Sequence, residues 1–171
     1  IGWIASVIQE AEASQERISY IMDQKSSIQN INHQEYSIGG DIQFKNVSFV
    51  YPNTGVEALK DVSFHLKKGQ RLAIMGKTAS GKTTIAELIS RMFDVTKGQI
   101  LLDGLDIREH NLSVIRDRIA VVPQDVFLFS DTVAANIAFG KADANMEEIR
   151  YYADNAAILY EIEKLPEQFD T

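Results

Sequence analysis

Cysteine is absent from the 171 residues, which rules out disulfides, thiol nucleophiles and cysteine-ligated zinc. Histidine is scarce: His33, His65 and His110 lie far apart, without metal-ligand spacing, and are expected to be surface or packing residues. Positive charge is outnumbered, with 17 Lys and Arg against 24 Asp and Glu and a net charge of −7. A nucleic-acid binder normally carries a basic face, so no nucleic-acid partner is expected, although net charge says nothing about a single pocket. Long apolar runs are missing as well. The opening "IGWIASVI" is strongly apolar but falls far short of the roughly 20 residues that a bilayer span needs. No internal repeat or low-complexity tract occurs. What remains is 45% hydrophobic and 24% charged, the balance of a globular domain with an appendage and a sizeable core.

The N-terminal stretch has no initiator Met and no basic n-region, so it is not expected to be a signal peptide. Ile4, Val7, Ile8, Ala11, Ile18, Ile21 and Met22 recur at helical spacing, which predicts one amphipathic helix over about Trp3 to Met22. Either it packs on the domain or it is the end of a membrane helix emerging into water. "QKSSIQNINHQEYSIGG" is polar, has no clear period and ends in a Gly pair, as a linker does. From Asp41 the pattern turns to alternation. "DIQFKNVSFVY", "ALKDVSFHL", "RLAIM", "QILLDG" and "IAVVP" are five candidate strands. Helices are expected at Lys82 to Met92, near Leu112 to Arg118, at Thr132 to Phe139 and from Met146 to about Lys164.

The strongest motif is "GKTASGKTT". Gly76, Gly81, Lys82 and Thr83 fit G-x-x-x-x-G-K-[ST], the phosphate-binding P-loop, with an apolar segment running in and a helical one running out. Glycine lets the backbone take conformations that a side chain forbids and approach a ligand closely. Successive N–H groups along Gly76, Lys77, Thr78, Ala79 and Ser80 then point inward as an anion nest. The helix that opens near Gly81, Lys82, Thr83 and Thr84 adds its positive dipole end. Lys82 brings a formal charge to the β- and γ-phosphates, and the Thr83 hydroxyl suits magnesium, which prefers oxygen. The motif alone does not choose between GTPases, kinases and transport or repair ATPases.

The surroundings choose. "GDIQFKNVSFVYP", "GKTASGKTT", "KGQILLDGLDI" and "IRDRIAVVPQDVFLFSDTVAANIAFG" follow one another as in the nucleotide-binding domain of ATP-binding-cassette (ABC) transporters, which this chain resembles from Asp41 to Thr171. "VFLFSDTVAANIAFG" looks most like the exporter branch. "EAEASQERISYIMD" is similar to the end of the last membrane helix of exporters that fuse membrane and nucleotide domains. The resemblance implies an α/β fold: a P-loop (RecA-like) three-layer core, an antiparallel β subdomain, the start of a helical subdomain and an N-terminal amphipathic helix. It divides the chain into 1–25, the end of a membrane helix or its cytoplasmic extension; 26–40, a linker; and 41–171, an incomplete ATP-binding domain. It implies ATP and Mg2+ as ligands.

Tyr51 matches the aromatic that stacks on adenine, through its ring and not its hydroxyl. Gln124 matches the glutamine that contacts magnesium or water and couples the site to the membrane domain. Implied partners are a membrane domain of the same parent chain and a second nucleotide-binding domain, with this domain on the cytoplasmic side of the membrane. No LSGGQ-like signature and no apolar strand ending in Asp-Glu occurs within the 171 residues. Hydrolysis by this chain alone is therefore not expected. A soluble ABC-family ATPase, or a nucleotide-binding fragment without a transport role, are the alternatives.

Overall fold

The computed structural model describes residues 2–34, 37–141 and 143–171; Ile1, Glu35, Tyr36 and Ala142 lie outside the described residues. Contacts divide the chain into two units, Ile1–Val121 and Val122–Thr171.

In the first unit, α1 (Gly2–Met22) matches the helical spacing of its apolar residues. Its apolar stripe does not pack on the core: Ile4, Val7, Ile8, Ile18 and Ile21 are each exposed. No helix among the described residues is long and apolar enough to cross a membrane.

The alternating stretch forms β1 (Ile42–Val50) and β2 (Glu57–Leu66), and β3 (Lys97–Leu102) and the short β4 (Leu105–Asp106) follow. The sheet is antiparallel in the order β2-β1-β3-β4. Apolar residues in β1 fall at 42, 44, 47, 49 and 50, which breaks strict alternation. A bulge at Asn46 absorbs the extra residue: Phe44 pairs with Phe64 and Val47 with Val62, so β1 advances three residues while β2 advances two. Asn46 sits at φ 48° and is held by its N–H to Ser63 Oγ (2.8 Å) and its amide to Asp61 Oδ1 (2.8 Å). The bulge returns Val47 and Phe49 to the face that carries Phe44, and all three are buried. Gly98 on β3 lies against it at φ 79°, where a Cβ would collide with the carbonyl oxygens of Lys45 and Asn46.

The helix after the glycine loop, α2 (Lys82–Ile89), packs Ile85 and Leu88 on this face with Leu59, Ile100, Leu102, Ile107 and Ile115. It was expected to run to Met92 but stops three residues earlier. Arg91, at φ 51°, turns the chain out of the helix, and Met92 N–H bonds to Glu87 C=O while Arg91 N–H bonds to Leu88 C=O. This is the left-handed helix stop usually filled by glycine. Arginine serves here because its buried guanidinium is occupied: it donates to Asp94 (3.2 Å), to the Gln29 carbonyl (3.3 Å) and to the His110 carbonyl (3.4 Å).

The same junction holds the linker. Asn30 donates to Asn111 Oδ1 (2.9 Å) and accepts from Leu112 N–H (2.9 Å). Asn32 donates to the Glu109 carbonyl and Asn111 to the Gln34 carbonyl. Asn111 also caps α3, which spans Leu112–Arg118 as the sequence predicts.

Two expected strands are not strands. "RLAIM" and "IAVVP" have no ladder among the described residues, and Leu72, Ile74, Met75, Val121 and Val122 are 41–92% exposed. Apolar, β-prone residues favour extended chain, but a strand needs a partner edge for its N–H and C=O groups. The sheet ends at β2 and β4, and neither of these pairs with them.

In the second unit, α4 (Val133–Ile137) starts at the Thr132 cap and runs into a tight turn at Ala138–Gly140. The expected helix from Met146 to Lys164 is two, α5 (Met146–Asn155) and α6 (Leu159–Glu163). Ile149, Ala153, Ile162 and Phe169 form one core. At about 100° per residue, the nine residues from Ala153 to Ile162 would place Ile162 on the opposite helix face. A left-handed turn at Ala157 (φ 58°) brings it back to the same side.

Candidate functional site

The glycine loop meets α2 at Gly81, which caps the helix at φ 83° without a side-chain bond. A Cβ at Gly81 would collide with the Ala58 carbonyl and the Leu59 side chain, so β2 runs directly against the helix start. Glycine there is a packing requirement as well as a conformational one. The opening between them is a cavity of about 290 Å³ lined by Tyr51, Val56, Glu57, Ala58 and residues 79–84. The amides of Lys82, Thr83 and Thr84 stand in the first turn of α2, where helix N–H groups have no intrahelical acceptor. Ala79 at φ 62° supplies a further backbone bend.

Lys82 Nζ lies over the loop. It donates to the carbonyls of Lys77 (2.7 Å) and Gly76 (3.0 Å) and to Ser80 Oγ (3.4 Å). Thr83 is exposed and its hydroxyl is free of hydrogen bonds to other described residues, whereas Thr84 is buried. The structure thus gathers Ala79, Ser80, Gly81, Lys82, Thr83 and Thr84 around one cavity, while Gly76 and Lys77 meet it through their carbonyl bonds to Lys82. Thr78 belongs to the loop but does not line the cavity. Gln124 is an exposed residue of the second unit.

Tyr51 closes the cavity from the sheet side, and its hydroxyl is engaged. It donates to Glu87 Oε2 (2.7 Å) and lies 2.8 Å from Thr84 Oγ1. Phe49 and Phe93 meet the ring in edge geometry, with centroids at 4.9 and 5.6 Å. Burial pushes the phenol above its usual pKa; the Thr84 hydrogen bond works against this and the Glu87 carboxylate adds to it. The expectation that only the ring matters thus meets a hydroxyl with two partners. Glu87 was missed. Its signal was its place on α2, one turn beyond Thr84, where both side chains share a face.

An anion fits this cradle: helix-terminal amides, one ammonium and close backbone are all present. Magnesium fits by a narrower argument. No group of three or more His, Asp or Glu that could hold a metal ion exists among the described residues. Magnesium, however, is commonly held by one or two protein oxygens plus phosphates and water, and Thr83 offers one such oxygen.

A glycine loop opening a helix, set on a mixed α/β fold with an antiparallel sheet, defines a phosphate-binding protein class, and the family follows. The chain belongs to the ABC transporter family, which matches residues 59–168. It is similar to an ATP-dependent lipid A-core flippase of Photobacterium profundum, 38% identical over 98% of this chain and 29% of that protein. It is similar as well to heavy metal tolerance factor 1 of Caenorhabditis elegans, 38% identical over 99% of this chain and 21% of that protein. Among solved structures, a bacterial Atm1-family ABC exporter with ATP bound superposes with a TM-score of 0.87 at 32% identity, over 99% of this chain and 30% of that one. The chain therefore spans less than a third of the length of these relatives.

Proposed function

We propose that this chain is the ATP-binding part of an ABC exporter that couples ATP binding and hydrolysis to transport across a membrane. The observation that carries the reading is the cavity where Tyr51 from the sheet faces the Gly81–Thr84 helix start with Lys82 beside it. In this reading the amides and Lys82 hold the phosphates, Thr83 offers an oxygen to magnesium, and Tyr51 receives the base. Bound MgATP supplies the phosphoanhydride whose cleavage drives transport. Residues 1–25 extend from the last membrane helix, 26–40 are the linker and 41–171 belong to the ATP-binding domain. Its partners are the membrane domain of the same parent chain and a second nucleotide-binding domain, with the site on the cytoplasmic side. The relatives carry different substrate names, and no substrate is transferred from them.

Calorimetric titration of the full-length protein with MgATP tests this. Saturable binding at one site per chain is expected. Heats no greater than dilution, for ATP and for inorganic tripolyphosphate alike, overturn the reading.

Gln124 is expected to couple rather than to bind. In the full-length protein, Gln124→Ala leaves ATP affinity near that of the parent, because phosphate contacts dominate it. Transport and substrate-stimulated hydrolysis should fall together. A variant that binds ATP poorly yet keeps its stimulation ratio places Gln124 in binding instead.

A further inference from the structure

We infer that Glu87 is a positioning residue for Tyr51, fixing the ring at the base end of the nucleotide site and so tuning affinity for the nucleoside and not for the phosphates. The inference rests on the reading of Tyr51 as the base platform given above.

The geometry assigns the protons. An ionised carboxylate only accepts, so the single phenol proton of Tyr51 goes to Glu87 Oε2 at 2.7 Å. The phenol oxygen, having given its proton away, accepts from the Thr84 hydroxyl at 2.8 Å. The chain Thr84 to Tyr51 to Glu87 therefore runs one way and ends on a charge, which shortens and strengthens the last bond. Thr84 and Glu87 lie one turn apart on α2, whose first turn forms the phosphate end of the cavity. One helix thus carries the phosphate cradle and also anchors the tip of the ring. Phe49 and Phe93 hold the ring from its apolar side.

Without the Glu87 acceptor the phenol keeps one partner of two, and the ring gains freedom that a stacked base must take away again. Ordering one side chain on binding corresponds to roughly a two- to tenfold loss of affinity. The loss should fall on ligands that have a base and on no others.

The test uses the full-length protein, titrated with MgATP and with inorganic tripolyphosphate, which has no base. Glu87→Ala is expected to weaken ATP roughly two- to tenfold and to leave tripolyphosphate unchanged. Glu87→Gln removes the charge but keeps an acceptor, and should bind ATP close to the parent. Tyr51→Phe should resemble Glu87→Ala, and the double variant should be no weaker than Tyr51→Phe alone. Equal losses for ATP and tripolyphosphate in Glu87→Ala mean general damage to the helix and overturn the inference. Unchanged ATP affinity in Glu87→Ala overturns it too, as does a Glu87→Gln variant as weak as Glu87→Ala. A parent protein that binds neither ligand overturns the functional reading itself, and this one with it.

Discussion

Lys82→Ala is expected to lower ATP affinity by at least tenfold. Among the described residues lining the cavity, Lys82 is the one that carries a positive charge, in a chain of net charge −7. A charge-assisted hydrogen bond is worth about 1.5–3 kcal/mol, and about 1.4 kcal/mol is a factor of ten in affinity. The gain is smaller than a sum over phosphate oxygens, because the ammonium already has three partners. It must exchange the carbonyls of Gly76 and Lys77 and the Ser80 hydroxyl for phosphate. A tenfold floor reflects one net bond. Those same bonds hold the loop against the start of α2, so the variant should also bind with a larger ordering cost. Calorimetric titration with MgATP decides the matter, and equal affinity in parent and variant would rule out the phosphate role of the loop.

The 171-residue chain by itself is expected to release phosphate from ATP only at background rate. The loop encodes the grip on the ground state: amides, one ammonium and one hydroxyl for magnesium. Transfer to water also needs an oriented nucleophile and donors aimed at the charge of the transition state. The LSGGQ-like signature and the strand ending in Asp-Glu, to which the family resemblance assigns those tasks, do not occur within these residues. Losing even one preorganised donor costs about a hundredfold to a thousandfold in rate. Phosphate release is measured on the purified chain with MgATP, with Lys82→Ala as the control for contaminating enzymes. Turnover comparable to an intact transporter, abolished in the control, would show that the chemistry lies within this chain. Recovery of turnover when the chain is extended through the signature and the Asp-Glu strand is the expected counterpart.

What the sequence disclosed was what is local. The phosphate loop is a run of nine residues, and α3 lies where its local apolar spacing put it, near Leu112 to Arg118, with Asn111 capping it from the adjacent position. What it hid depends on distant partners. Alternation in β1 suggested a plain strand; the bulge at Asn46 exists because Ser63 and Asp61 on the neighbouring strand satisfy it. Nothing in "LISRMFD" marks Arg91 as a helix stop, since a left-handed arginine is tolerated only once Gln29 and His110 present their carbonyls. The engagement of the Tyr51 hydroxyl likewise depends on residues 33 and 36 positions away. "RLAIM" and "IAVVP" show the reverse error: propensity describes what a segment suits, and a neighbouring edge decides whether it becomes a strand.

The linker seat has its own thermodynamic character. Gln29, Asn30, Asn32 and Gln34 are held by carbonyls and amides, while Ile31 between them stays 67% exposed. Lifting this segment trades protein hydrogen bonds for water and uncovers little apolar surface. Heat capacity follows apolar exposure, so such a release is nearly athermal in its curvature, unlike loss of the Phe44–Leu88 core. The joint between α1 and the sheet thus behaves as a polar latch. Its hold weakens steadily with heat and denaturant, without the cold-side weakening of a hydrophobic contact.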